Sequence, residues 1–278
     1  MIGFDHLGNL GRLGNQMFEY AALRGIAEKK GYDVCIPPPE HEGIENYSLH
    51  ECFDLEHIKT GFINKERYAM EQTFHFNNEL FNNCPDDASL YGFFQSWKYF
   101  DHCKTKIFQV LSLETKRENV RTKISTQWEN LDHCVSMHFR MGDYKQLQNH
   151  HPIMPVVYYR KALTELLLHT GKDDWTVMVV CEDEDADSVH EKTNILREEF
   201  PNMRFRRLQG NLEDWEQMLA MSLCAHHVIA NSSFSWFGAY FNTNPDKFVY
   251  YPSVWFGPAQ GNKDMKDLCP PDWMKISV

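Results

Sequence analysis

Long apolar runs are missing from these 278 residues: no window approaches the roughly 20 residues that cross a bilayer. The first residues also lack the basic-then-apolar pattern of a secretory leader. No C-x-x-C pair occurs, and the eight cysteines (Cys35, Cys52, Cys84, Cys103, Cys134, Cys181, Cys224 and Cys269) are scattered. Scatter without a leader reads as reduced, largely buried thiols in a cytoplasmic protein. That assignment would fail for a domain cut from a longer secretory-pathway protein. In a cytoplasmic protein the sequon Asn46-Tyr47-Ser48 is expected to be inert. Positive charge is scarce too. A net charge of −11 argues against a general nucleic-acid or anionic-membrane surface. A phosphorylated ligand would need cationic partners gathered locally. Internal repeats and low-complexity tracts are absent. His150-His151 and His226-His227 lack partners at recognised ligand spacings, which argues against zinc.

What is present is an alternation of strand-like and helix-like segments. Ile2–His6 reads as a strand entering the loop Gly8-Asn9-Leu10-Gly11-Arg12-Leu13-Gly14-Asn15-Gln16. A helix follows, with Met17, Phe18, Ala21, Ala22 and Ile26 at helical spacing and Lys29-Lys30-Gly31 as its stop. Residues 32–36 form the next strand, ended by three prolines. From there to about residue 87 the pattern is weak and irregular. Residues 90–95 read as a buried strand and 97–123 as one connecting helix. The second half alternates clearly: strands at 134–139, 176–181, 203–206, 227–230 and 247–251, with helices at 156–168, 186–200 and 212–224 and a short one from Ser233. Such alternation indicates parallel, doubly wound sheets. The expected division is two Rossmann-like domains, 1–126 and 127–278, with a cleft between them.

Three places carry chemistry. The first is Cys134–Tyr144, an apolar strand ending in Arg140-Met141-Gly142-Asp143. In open α/β sheets ligands bind beyond the carboxyl ends of strands. A planar guanidinium there suits phosphate oxygens, and a glycine lets backbone approach. A strand–turn bearing an exposed ion pair is the simpler alternative. The second is Ala230–Gly238, where an apolar strand meets Asn231, Ser232, Ser233 and Ser235 at a helix start. Capping explains one of these residues but not three serines with an asparagine, and an anion site at the helix N-terminus stands as an equal reading beside capping. The third is the first loop, whose Gly8, Gly11 and Gly14 spacing matches neither a dinucleotide fingerprint nor a Walker loop. It reads equally as a tight turn with Asn15 as cap. The acidic run Glu182-Asp183-Glu184-Asp185 reads as a solvated helix start rather than a metal site, with room for one acid to reach the cleft.

Taken in order, Gly11-Arg12-Leu13-Gly14-Asn15-Gln16-Met17-Phe18-Glu19-Tyr20-Ala21, His138-x-Arg140-x-Gly142-Asp143-Tyr144 and Ala230-Asn231-Ser232-Ser233-Phe234-Ser235-Trp236-Phe237-Gly238-Ala239 resemble the alpha-1,2-fucosyltransferase family. So does Trp255-Phe256-Gly257-Pro258, with Asp264, Lys266-Asp267-Leu268 and Pro270 after it. Met141 stands where the family often has a second arginine, and Cys181-Glu182-Asp183 where it is usually Ser-Asp-Asp-like.

The resemblance implies an α/β, GT-B-like fold: two Rossmann-like domains with parallel sheets facing a central cleft, the first on the acceptor side and the second holding GDP-fucose. It implies inverting transfer of fucose to a galactose 2-hydroxyl, with no metal and no cofactor beyond the GDP-fucose donor. The partners implied are GDP-fucose and a galactose-terminated glycan. Arg140 and Asp143 are the implied catalytic pair. Gly14, Asn15, Gln16, His138, Arg140, Asp183, Asn231, Ser232, Ser233 and Ser235 are the implied binding residues. Asp143 serves either as the base for the acceptor hydroxyl or as an anchor of the Arg140 loop. His138 is either a nucleotide contact or a core residue. The alternatives are a protein O-fucosyltransferase, another GDP-sugar transferase, or a non-catalytic sugar-nucleotide or glycan-binding module.

Overall fold

The structure is a computed structural model. It describes the chain except residues 43, 45, 54, 56, 57 and 64–66. The chain divides into two units: residues 1–115 with 263–270, and residues 116–262 with 271–278.

In the first unit, β1 (Ile2–Gly3), β2 (Val34–Ile36), β3 (Lys59–Thr60), β4 (Tyr68–Met70) and β5 (Ser89–Tyr91) form a parallel sheet in the order β3-β2-β1-β5-β4. Helix α1 (Leu13–Lys30) links β1 to β2 and is buried along most of its length. Gly31 stops it at φ 68°, its amide closing on the Ala27 carbonyl while Lys29 and Lys30 sit at the negative end of the helix dipole. A Cβ on Gly25 would lie 1.9 Å from the Tyr99 carbonyl oxygen, so a glycine is what lets this helix pack on that backbone. Short helices α2 (Ser48–Cys52) and α3 (Asn78–Asn83) occupy the stretch expected to be irregular, together with β3 and β4. These elements are too short for a periodicity to register, and tertiary contacts decide them.

The expected single helix over 97–123 is also corrected. It is two 3₁₀ turns followed by α4 (Lys104–Val110) and α5 (Leu113–Ile124), broken at Ser112, whose φ is +49°.

The second unit holds β6 (Cys134–His138), α6 (Val156–Thr170), β7 (Thr176–Val180), α7 (Ala186–Glu199), β8 (Arg204–Arg207), α8 (Asp214–Ser222), β9 (His226–Val228), α9 (Ser233–Tyr240), β10 (Val249–Pro252) and β11 (Met274–Ile276). Its six parallel strands run β11-β10-β9-β6-β7-β8. Chain order proceeds outward from β6 through β7 to β8, then restarts at β9 on the other side. The switch point therefore lies between β6 and β9. Val135, Met137, Val177, Val179, Val228 and Tyr250 of the strands pack with Tyr158, Tyr159, Ala162, Leu163 and Leu166 of α6 in one core.

The boundary falls at Thr115/Lys116 rather than at 126/127. The cause is α5, whose polar face is held by α8. Arg117 donates to the Ser222 hydroxyl and carbonyl at 3.1 and 3.2 Å, Lys123 pairs with Glu216, and the Lys116 ammonium lies 4.9 Å from the Trp215 ring centre. The second correction is residues 263–270, which belong to the first unit, where Asp267 pairs with Lys98 at 2.5 Å. All eight cysteines are buried, and none is in a disulfide.

Candidate active site

The β6 strand delivers its last residues to the switch point of the second sheet, where parallel sheets take ligands. His138 ends the strand and is buried; its Nδ1 has no partner and its ring lies 5.4 Å from that of Phe234 in α9. Burial, reinforced by the Arg140 charge, pulls its pKa down to about 3, so the imidazole is neutral at physiological pH.

Arg140, two residues on, is held from three sides. Nη1 pairs with Glu182 and Nη2 with Asp143, while the guanidinium sits 5.0 Å from the Tyr144 ring centre. Tyr144 is fixed in turn: its hydroxyl donates to the Asn231 carbonyl at 3.1 Å, and its ring stacks on His151 at 4.9 Å. Burial, opposed by Arg140, raises the phenol to about 12. Gly142 takes φ +30°, where a Cβ would meet a Glu182 carboxylate oxygen at 2.6 Å. Its amide donates to Asp185 Oδ2 at 2.7 Å, and Lys145 pairs with Asp185 Oδ1 at 2.5 Å. The glycine thus admits the carboxylate that braces Arg140.

Two corrections concern which acid does what. Asp183 is 97% exposed and pairs with Arg207 at 3.0 Å; Glu182, its neighbour, is the acid on Arg140. Glu182, Glu184 and Asp185 also bring carboxylate oxygens within 4.8 Å of one another, so the run is not simply solvated. Two of those three already carry counter-ions.

The serine-rich helix start divides its labour. Asn231 is buried; its Nδ2 donates to the Pro152 and Trp255 carbonyls, each at 3.0 Å, which fastens the 255–257 segment to the switch point. Its Oδ1 has no partner. Ser235 is buried and donates to carbonyls of its own turn, Ser232 at 3.3 Å and Ala230 at 3.5 Å. Ser232 stands at the N-cap of α9 without a capping bond, and Ser233 opens the helix half-buried. Arg140, Asp143, His138 and the Asn231–Ser235 run are brought together in this unit.

Gly14, Asn15 and Gln16 stand at the start of α1 in the first unit. Gln16 is corrected from ligand contact to framework. It is fully buried, its amide nitrogen donates to the Gly11 and Asn46 carbonyls at 2.9 and 2.7 Å, and its oxygen accepts from Leu49 at 3.0 Å. Sequence reasoning missed the structural service of Glu182 and Tyr144 to Arg140. Tyr144's place in the motif and Glu182's place after β7 were the available signals.

The paired histidines are framework as well. His227 Nδ1 meets the Ser136 hydroxyl at 2.7 Å and Nε2 meets Asn242 at 2.8 Å, while His226 Nδ1 accepts from the Phe248 amide at 3.1 Å.

Two parallel, doubly wound α/β units in one chain make a GT-B glycosyltransferase fold. The chain belongs to glycosyl transferase family 11, whose family model matches residues 5–276, and is an enzyme of that fucosyltransferase family. It is 26% identical over 303 residues to an alpha-1,2-colitosyltransferase of Escherichia coli, covering 96% of each chain. It is 28% identical over 150 residues to galactoside alpha-(1,2)-fucosyltransferase 2 of Bos taurus, covering 51% of this chain and 42% of that one. In fold it is similar to Arabidopsis thaliana FUT1, solved as a mutant in complex with GDP, with a TM-score of 0.51 at 11% identity, covering 97% of this chain and 74% of that one. No helix among the described residues is long and apolar enough to cross a membrane.

Proposed function

We propose that this enzyme transfers L-fucose from GDP-β-L-fucose to the 2-hydroxyl of a terminal galactose, with inversion and without a metal ion. The second unit would hold the donor and the first the acceptor glycan. The observation that carries the reading is Arg140, braced on a tyrosine face at the switch point beside a hydroxyl-lined helix start. The names of the colitosyl and fucosyl relatives share the alpha-1,2 linkage.

In this reaction the galactose oxygen attacks the anomeric carbon, the bond from that carbon to the β-phosphate oxygen breaks, and GDP leaves. Positive charge builds on the sugar and negative charge on the phosphate. The carboxylates engage only Nη1 and Nη2, and a guanidinium carries five N–H donors, so Arg140 can take the leaving phosphate without surrendering both ion pairs. Ser232, Ser233 and the α9 amides supply further donors. The proton of the acceptor hydroxyl passes to Asp143, whose carboxylate is 42% exposed and so reachable while paired to Arg140.

A colitosyl donor is the second reading, favoured by the relative that matches over 96% of the chain. The test supplies GDP-fucose or GDP-colitose with lactose, N-acetyllactosamine or galactosyl-N-acetylgalactosamine. GDP release and the product linkage are then measured. The proposal expects acceptor-dependent GDP release from GDP-fucose and an alpha-linked product at the galactose 2-hydroxyl. Release from GDP-colitose alone, or linkage at another hydroxyl, would overturn it.

A further inference from the structure

The first sheet has its own switch point, between β1 and β5. Residues leaving those two strands border the crevice where such sheets bind ligands. Two side chains from either side of it are joined: Gln95 Nε2 donates to Asn15 Oδ1 at 2.8 Å. With its oxygen so committed, the Asn15 amide has its Nδ2 beside Gly11. Gly11, at φ +92°, leaves room for that nitrogen, since a Cβ there would come within 2.2 Å of it.

Gln95 is aimed by an unusual turn. Gly92 has φ +147°, and Phe94 has φ +50°, a conformation that an aromatic residue adopts only where its surroundings impose it. Glu71, the residue after β4, supplies the constraint. Its Oε2 accepts the Phe93 amide at 3.0 Å and the Phe94 amide at 2.9 Å. Gly92 lacks the Cβ that would press on Glu71 Cβ at 2.5 Å.

We infer that Glu71 is a positioning residue for Asn15: its carboxylate latches the 92–95 turn, and Gln95 carries that placement to the Asn15 amide. The inference rests on the reading that Asn15 contacts a reactant of the glycosyl transfer. Glu71 Oε1 is buried with no partner, so the group acts through the turn and not on substrate.

The latch is also sensitive to pH. Burial raises Glu71 to about 7 against the pull of the two amides and of Lys263. Glu19 of α1, Lys263 of the 263–270 segment and Tyr99 are the other ionisable groups around it; Glu19 is itself pushed well above the usual carboxylate range by burial. A carboxylate accepts such bonds roughly twice as strongly as a neutral acid, so the latch tightens above pH 7 and slackens below it.

The experiment compares kcat from pH 6 to 8 in the wild type, Glu71→Gln, Asn15→Ala and the double variant. Amide exchange at Phe93 and Phe94 is followed in parallel and corrected for intrinsic rates. Wild-type kcat is expected to fall roughly three- to tenfold on acidification, the scale of one charge-assisted hydrogen bond. Glu71→Gln should lie flat at the low-pH value and add no loss to Asn15→Ala. Protection at both amides should fall on acidification in the wild type and stay low in Glu71→Gln. An additive loss in the double variant, or protection unmoved by Glu71→Gln, would overturn the latch. A wild type that transfers no fucose yet keeps the amide signature would instead overturn the proposed reaction alone.

Discussion

Lowering the pH from 7.5 to 5 should move the stabilities of the two units in opposite directions. In the second unit three imidazoles are buried. His138 is lowered to about 3, chiefly by burial and then by Arg140; His226 to about 4, by burial and then Lys172; His227 well below its ordinary value, by burial and then Lys247. As pH falls through about 6.5 the unfolded chain protonates these rings and the folded chain does not, so the unfolded state gains protons and stability falls. At pH 5, about 1.5 units below the unfolded value, His138 and His226 each cost about 2 kcal/mol, and His227 adds to the loss. That sum of about 4 kcal/mol or more is a large part of the 5–15 kcal/mol typical of a folded protein.

The first unit does the reverse. Glu71 is raised from 4.5 to about 7 and Glu19 well above 4.5, both chiefly by burial. Above 4.5 the unfolded carboxyls release protons that the folded ones keep, so stability is highest in acid and is lost as pH rises to the folded values. Going from pH 7.5 to 5 should restore about 2 kcal/mol at Glu71 alone, with Glu19 adding to it. Six of the seven tryptophans lie in the second unit, Trp97 being the exception, so a fluorescence-detected denaturant melt reports mainly that unit. Hydrogen exchange of peptides from α1 and α6 reads the units separately. Equal shifts of the same sign in both units, or no loss in the second at pH 5, would refute the reasoning.

The remaining expectations concern the site. Arg140→Lys should be nearly as damaging as Arg140→Ala, about a hundredfold or more in kcat, because an ammonium cannot span Asp143 and Glu182 while lying flat on Tyr144; near-normal turnover would show that charge alone suffices. Asp143→Asn should lower kcat strongly with GDP affinity and melting temperature unchanged if it takes the acceptor proton, and a joint fall of all three in calorimetry and melting curves would make it an anchor of the Arg140 loop. Activity should survive EDTA, since Arg140 and the α9 start supply the positive field; loss restored by manganese would instead assign the ion to Glu182, Glu184 and Asp185.

Strand–helix alternation in the second half, the strand end at His138 and the cluster Arg140-Gly142-Asp143 were legible because local periodicity and residue type determine them. The sequence by itself therefore determined two parallel α/β units and the place of one guanidinium beyond a strand. Tertiary structure alone decided the rest. Which acid of Glu182–Asp185 reaches Arg140 depends on how the turn after β7 faces the β6 loop, 42 residues away in sequence, and adjacent acids point in opposite directions there. Whether Gln16 serves a ligand or the framework depends on the Leu49 amide of α2 and the Asn46 carbonyl of its approach. The return of residues 263–270 to the first unit is invisible locally, because a lysine–aspartate pair 169 residues apart leaves no periodicity. Burial acts the same way: Glu19 sits in a helix that any reading would form, and only packing on both sides makes its carboxyl a buried acid.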